Sequence, residues 1–197
     1  MKRLILVRHG QTEWNAARRL QGQTDIALSD HGRAQARALA PMIASLGPDH
    51  AMTSDLARAA ETAILIGATA TPDRRLREQA LGQCGGGLIA DLPPEDYRGW
   101  RAGQFTPPGG ESWTEFRARV GAALGKTVEQ AQATALAVCH GGVIRAALDA
   151  LLGLPPSRIV PVGPGSLCIL AFPDGPASAR LEAFNLRPGT VDLDAPD

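Results

Sequence analysis

Leu4-Ile5-Leu6-Val7-Arg8-His9-Gly10-Gln11-Thr12 is the stretch on which the fold turns. Leu4 to Val7 form an apolar run without alternation, as expected of a parallel strand buried on both faces. The run ends abruptly at Arg8-His9-Gly10, where glycine permits a tight turn and close backbone approach. Arg8 and His9 are therefore expected at the carboxyl end of a central strand, the edge at which open α/β sheets bind ligands.

A second stretch repeats the arrangement. Ala135 to Cys139 form another buried run, followed by His140-Gly141-Gly142 and then a helical pattern through Ile144, Ala147, Leu148, Leu151 and Leu152. Between the two histidines, strand and helix signals alternate. A helix is expected from Leu28-Ser29-Asp30 to Gly47-Pro48, with Ser29 or Asp30 as its cap. A short strand follows over Asp49–Thr53. A second helix, capped by Ser54 or Asp55, carries Leu56, Ala60, Ala63 and Ile64 at helical spacing. Thr71 to Glu78 reads as a third strand with Glu78 at its end. A long helix starts after Pro108-Gly109-Gly110-Glu111-Ser112, and Ser166–Phe172 and Arg180–Phe184 read as two last strands near one sheet edge. The tail after Pro188 is expected to fray. The alternation predicts an α/β, three-layer sandwich with a mostly parallel central sheet and helices on both faces. The whole chain, 1–197, reads as one domain, with a lid-like excursion at about 85–110 passing over the strand ends.

Composition narrows the function. Lys plus Arg and Asp plus Glu number 20 each. A balanced charge argues against a broad nucleic-acid or membrane footprint. Cys84, Cys139 and Cys168 are far apart and odd in number, which fits a reducing compartment and neither a disulfide framework nor a zinc site. No apolar run reaches the ~18 residues of a membrane span, and the amino terminus shows no targeting pattern. A soluble, cytoplasmic protein is expected. Gly121-Ala122-Ala123-Leu124-Gly125-Lys126-Thr127 is a decoy: it lies one residue short of a P-loop and inside a helix. The histidines and acids show no metal-ligand spacing, so neither metal nor cofactor is expected.

Arg58 falls in the first turn of its helix, where a cation opposes the helix dipole unless an anion joins it. If the strands are parallel neighbours, Arg8, His9, Arg58, Glu78 and His140 converge at one sheet edge. Two guanidiniums, two imidazoles and one carboxylate suit a compact anion, most simply a phosphate group, which arginine meets bidentately.

The chain resembles the histidine phosphatase superfamily, the phosphoglycerate-mutase-like group. The resemblance rests on Arg8-His9-Gly10-Gln11-Thr12-Glu13-Trp14-Asn15, Gln21-Gly22, Leu28-Ser29 with Gly32, Ser54-Asp55-Leu56-Ala57-Arg58-Ala59 with Glu61-Thr62-Ala63, Leu76-Arg77-Glu78 with Gly82, Pro108-Gly109-Gly110-Glu111-Ser112 and Cys139-His140-Gly141-Gly142. It implies that His9 is the nucleophile and forms a phosphohistidine. Arg8, Arg58 and His140 would hold the phosphoryl oxygens, and Glu78 would act as acid and then base. Thr12, Asn15, Gln21, Gly22 and Gly141 would make the substrate-binding side, Thr12 by ordering the loop. The implied activity is metal-independent hydrolysis of a small soluble phosphate ester. The alternatives are a phosphoglycerate mutase and a catalytically weak relative that binds phospho-ligands or a partner. A homodimer is one option for the oligomeric state. The pattern departs at Gly82-Gln83-Cys84-Gly85-Gly86, where the family's phosphatases often read Gly-x-Trp-Glu-Gly; this leaves the pocket wall open. Glu111 stands as the reserve acid, and the excursion offers mainly Arg98 and Arg101 for any second anion.

Overall fold

The computed structural model describes residues 1–189, so the tail expected to fray lies, from residue 190 on, outside the described residues. Six strands form one sheet: β1 (Lys2–Arg8), β2 (His50–Thr53), β3 (Thr71–Pro72), β4 (Thr134–Cys139), β5 (Leu167–Phe172) and β6 (Arg180–Leu186). Their order is β3-β2-β4-β1-β5-β6. The first four are mutually parallel, while β5 runs antiparallel to β1 and β6 antiparallel to β5.

Helices cover both faces. α1 (Glu13–Ala16), α2 (Asp30–Leu46) and α3 (Ala57–Leu65) come from the first half, and α4 (Pro94–Arg101), α5 (Trp113–Gln130) and α6 (Gly141–Leu152) from the second. The path from β1 to β2 to β3 steps one way across the sheet; the paths into β4 and out of it step back. Right-handed crossovers therefore place the two helix sets on opposite faces.

Side-chain alternation along the strands assigns each face its core. Leu4, Leu6, Ala135, Ala137 and Cys139 pack under α5 and α6, with Phe116, Val120, Leu124, Ile144 and Leu148. Ile5, Val7, Leu136 and Val138 pack under α2 and α3, with Ala36, Leu39, Ile43, Ala59 and Ala63. Each fully buried Leu or Ile contributes roughly 2 kcal/mol before the entropy of ordering is subtracted. At the far end of the sheet, Lys2 Nζ donates to the Val128, Glu129 and Ala131 carbonyls, a cation closing the carboxyl end of α5.

Two local expectations are corrected. The third strand is two residues long, because Pro72 cannot donate to a ladder and the Asp73 side chain accepts from the Arg75 N–H and starts a 3₁₀ turn over Arg74–Leu76. Glu78 is therefore on a loop and not at a strand end. α3 begins after Leu56 with no side-chain cap from its own flank. Asp55 instead pairs with Arg77 at 2.7 Å, Ser54 meets His140, and the distant Asp25 accepts the Ala57 N–H at 2.8 Å. The 85–110 excursion is partly helical, since it contains α4. Gly121 to Thr127 lie within α5, as the decoy reading requires.

Candidate active site

Register builds the site. Arg8 pairs with Cys139 across β1 and β4, so the segments that leave both strands start side by side. The His9 N–H donates to the Cys139 carbonyl at 3.0 Å, and the Ser54 N–H, just after β2, donates to the Val138 carbonyl at 2.9 Å. Gly10 then presses its backbone onto Gly32 at the start of α2. A Cβ on either glycine would collide with the other segment's backbone, which explains why both positions lack one.

His9 is nearly inaccessible, at 3% exposure. Its Nδ1 lies 2.6 Å from the Gly10 carbonyl. A carbonyl can only accept, so Nδ1 carries the proton and Nε2 keeps its lone pair. Burial, then the charges of Arg58 and Arg8, hold the imidazole well below the usual histidine range. His9 is thus a neutral imidazole with a directed lone pair at neutral pH.

Arg58 is fully buried and gives each nitrogen a partner: Nε donates to His9 Nε2 at 3.2 Å, Nη1 to the Thr24 carbonyl and Nη2 to the Gly22 carbonyl, both at 2.8 Å. Burial pushes its guanidinium down to about 10, so it stays charged at neutral pH. Its cation in the first turn of α3 is offset by Asp25 and Glu78, both of which act on it electrostatically. Arg58 therefore orients His9 and also holds the 21–24 loop against the site.

His140 is the N-cap residue of α6 and is completely buried. Its Nε2 lies 2.9 Å from Ser54 Oγ, its ring stands 5.1 Å from that of His9 at 63°, and its Nδ1 has no hydrogen-bond partner among the described residues. Burial and the nearby Arg58 push it, too, well below the usual histidine range. With the Ser54 hydroxyl donating to Nε2, Nδ1 carries the ring proton. Arg8 donates through Nη1 to the Val162 carbonyl, and a Cβ on Gly141 would sit 3.4 Å from its guanidinium. Val162 is on the loop that returns the chain from α6 to β5, a contributor that the sequence reading missed.

Glu78 is brought in from its loop by two backbone donors: Gly142 N–H to Oε2 and Gln79 N–H to Oε1, both at 2.9 Å. Arg119 of α5 secures the loop itself. Its Nη1 donates to the Arg75 and Arg77 carbonyls at 2.8 Å, and its Nη2 to the Glu78 carbonyl at 3.0 Å. Glu111 is the counter-ion of this brace, accepting from Arg119 Nε at 2.6 Å and Nη2 at 2.8 Å. Glu111 is consequently a structural partner and not a reserve acid.

The cleft around these groups has about 580 Å³ of empty space, counting its open mouth. Arg8, His9, Arg58 and Glu78 line it together with Asn15, Gln21, Gly22 and Gly141. Gln21 Oε1 is buried there without a partner among the described residues. Thr12 is not on the cleft wall; its hydroxyl is engaged in the capping box of α1, where it accepts the Asn15 N–H at 3.2 Å. Its placement is therefore that of a loop-ordering residue. His140 is not in the cleft lining either; its ring stands edge-on to that of His9, which is.

The remaining lining comprises Arg19, Leu20, Leu81, Ile89, Trp100, Arg101, Gly142, Arg145 and Val162. Of these, Arg101 was offered by the excursion and Gly142 belongs to the second histidine motif, while the other residues carried no site signal in sequence. Cys84 is not part of it. The aromatic wall that the altered Cys84-Gly85 segment left open is supplied from the excursion by Trp100. Arg98 is exposed and outside the cleft, whereas Arg101 is in it. His31 is exposed and is not part of the site. Among the described residues no group of three or more His, Cys, Asp or Glu is arranged to hold a metal ion, and no helix is long and apolar enough to cross a membrane.

A parallel-sheet edge that pairs a neutral, lone-pair-bearing histidine with two guanidiniums, a second histidine and a carboxylate defines a phosphoryl-transfer protein. The chain belongs to the histidine phosphatase superfamily (branch 1), whose family model matches residues 4–185. It is 40% identical over 166 residues, covering 79% of this chain and 77% of the relative, to a protein described as a probable phosphoglycerate mutase GpmB from Yersinia pestis (strain Pestoides F). It superposes on mycobacterial glucosyl-3-phosphoglycerate phosphatase Rv2419c, in complex with VO3, with a TM-score of 0.87 at 33% identity, over 94% of this chain and 99% of the other. TTHB049 from Thermus thermophilus gives a TM-score of 0.77 at 38% identity, over 95% and 99% of the two chains.

Proposed function

We propose that this protein is a phosphomonoesterase that hydrolyses a small phosphate ester through a phosphohistidine on His9, with no metal taking part. The observation that carries this reading is the fixed tautomer of His9. Nδ1 is committed to the Gly10 carbonyl, so Nε2 carries the lone pair, which accepts from Arg58 Nε until phosphorus takes its place. His9 Nε2 attacks phosphorus in line as the ester P–O bond breaks, and Glu78, in its acid form, gives its proton to the leaving oxygen. Water then attacks the phosphohistidine, Glu78 takes the water's proton, and the P–N bond breaks to return neutral His9. Arg8, Arg58 and His140 hold the equatorial oxygens throughout. The arginines supply positive charge where charge develops, which is the main demand of phosphoryl transfer. The substrate side is formed by Asn15, Gln21, Gly22 and Gly141, with Thr12 ordering the loop that carries Asn15.

A mutase reading is favoured by the 40% identical GpmB relative. It uses the same phosphohistidine but returns the phosphoryl group to an organic hydroxyl. Both readings are tested by phosphate release from a panel of aryl phosphate, phosphoglycerates, sugar phosphates, nucleotides and α-ribazole phosphate, with EDTA present and His9→Ala as control. His9-dependent release insensitive to EDTA supports the phosphatase. Isomerised phosphoglycerate without free phosphate supports the mutase. No turnover of any ester by a protein that still binds phosphate would leave only a binding role.

A further inference from the structure

The carbonyl that sets the tautomer of His9 belongs to a glycine. Gly10 has no Cβ because Gly32 presses on it, and the dihedrals of a glycine are the freest in a chain. The peptide that follows, Gly10–Gln11, is planar and trans, so its C=O and N–H point in opposite directions. Rotation of that plane would carry the Gly10 carbonyl away from His9 Nδ1, which lies 2.6 Å from it. The direction of the carbonyl therefore depends on what holds the N–H at the other side of the plane.

That partner is Gln35. It is half-buried on the second turn of α2, three residues beyond Gly32. Its Oε1 accepts the Gln11 N–H at 2.8 Å. The orientation of its amide follows: an N–H requires the oxygen, so Nε2 turns outward and donates to His31 Nε2 at 3.1 Å. The stem of the side chain is pinned as well. A Cβ on Gly165 would lie 2.6 Å from Gln35 Cβ, and the Gly165 N–H donates to the His9 carbonyl at 3.0 Å. The flanking peptide groups have their own partners. The Gly10 N–H donates to Thr62 Oγ1 at 3.2 Å, and the Gln11 carbonyl accepts the Ser29 N–H at 2.9 Å. The Gly10–Gln11 plane is thus held by Gln35 on one side and offers its other side to His9. A donated N–H also polarises the carbonyl of the same amide, which strengthens the bond to the Nδ1 proton.

We infer that Gln35 is a positioning residue for His9: its side-chain oxygen locks the Gly10–Gln11 peptide, and the carbonyl of that peptide holds the Nδ1 proton and aims Nε2. The inference rests on the phosphohistidine reading. Gln35 lies outside the cleft lining and acts through His9.

Three variants of the full chain test it. Gln35→Met keeps the length and removes the acceptor. Gln35→Asn keeps an amide but stops one methylene short of Gln11. Gln35→Glu returns an oxygen to the same place. In ¹⁵N-labelled protein without substrate, exchange of the His9 Nδ1 proton should quicken roughly tenfold or more in Gln35→Met and Gln35→Asn, and return to within about threefold of wild type in Gln35→Glu. Protection of the β1 amides should not change. On an aryl phosphate, kcat/KM, which follows the attack of His9, should fall roughly tenfold in the first two variants and recover in Gln35→Glu. Unchanged Nδ1 exchange in Gln35→Met would overturn the inference, as would faster exchange with no loss of kcat/KM. So would a loss of β1 protection equal to the loss at Nδ1, the outcome expected if Gln35 only props α2 against the loop. If Gln35→Met does not fold, Gln35→Asn carries the same prediction. The exchange measurement needs no turnover. If the wild type cleaves no ester, the phosphatase reading falls while exchange still decides whether Gln35 sets His9. His9-dependent phosphate release with Nδ1 exchange unmoved by the variants would refute Gln35 and leave the phosphatase.

Discussion

Gly142→Ala tests the placement of the acid. Gly142 is the second residue of α6, and its N–H holds Glu78 Oε2. A Cβ built there would lie 2.9 Å from Glu78 Cδ and 3.1 Å from Oε2, and would overlap Oε1. Contacts of a Cβ below 3.0 Å are essentially unknown, so the overlapping Oε1 must retreat by about 0.9 Å. The atoms in the way are the far end of a flexible side chain, so the helix need not move. Helix propensity favours alanine over glycine by up to ~1 kcal/mol, and stability should hold or rise slightly. Activity should not. General acid catalysis contributes ~10²–10⁴-fold, and a displacement near 1 Å costs up to ~10²-fold. We expect kcat to fall roughly tenfold to a hundredfold, about 1.4–2.7 kcal/mol in the barrier. The loss should be larger for an alkyl phosphate, whose leaving oxygen needs the proton, than for an aryl phosphate. Steady-state phosphate release on both esters, with calorimetric melting alongside, measures this. A variant within twofold of wild type on the alkyl ester, or with equal losses on both, would refute the assignment of Glu78.

Further outcomes follow from the same geometry. Arg119→Met removes the donors to the Arg75, Arg77 and Glu78 carbonyls and the partner of Glu111, and should cost about 2–3 kcal/mol of stability in urea unfolding. Its kcat should fall at least tenfold with a smaller change in KM, and Arg119→Lys should recover part of both. His9 and His140 are buried neutral, with folded-state values below the unfolded 6.5. Below about pH 6.5 the unfolded chain therefore binds protons first, and stability drains away as pH falls, by roughly 1.4 kcal/mol per pH unit for each histidine. His140→Gln should flatten that slope by one proton's worth in melting curves from pH 7 to 5. The same direction of shift keeps His9 nucleophilic in mild acid. After correction for the ester's own ionisation, kcat/KM should stay level from pH 7.5 to about 5.5; a tenfold fall per unit below pH 6.5 would mean that His9 titrates as an ordinary histidine.

Much of this molecule was legible because its signals are local. Unbroken apolar runs ending in Arg8-His9-Gly10 and His140-Gly141-Gly142 required buried strands with polar carboxyl ends, and steric rules on parallel strands and their crossovers left few ways to connect them. The convergence of Arg8, His9, Arg58 and His140 followed from that topology. Arg58 was readable even from its position, as a cation at a helix start that only an anion could justify.

Tertiary structure alone decided the rest, because the forces involved act between distant segments. Pro72 and Asp73 end β3 early, and Glu78 is held at the site by Gly142 and, through its loop, by the Arg119–Glu111 brace, groups 33 to 64 residues away from it. Helix capping passed from Ser54 and Asp55 to Asp25, since Ser54 and Asp55 met His140 and Arg77 first in space. The tautomer of His9 depends on one carbonyl direction that periodicity does not encode. Arg145 carried no signal in sequence, an arginine inside an apolar helical run; only the packing of Trp100 and Trp113 around it reveals a cation built into the cleft wall. Sequence determines which groups a chain can offer through short-range backbone and burial preferences; the final placement of a buried charge is a balance of desolvation and partners that exists only once the chain has closed around it.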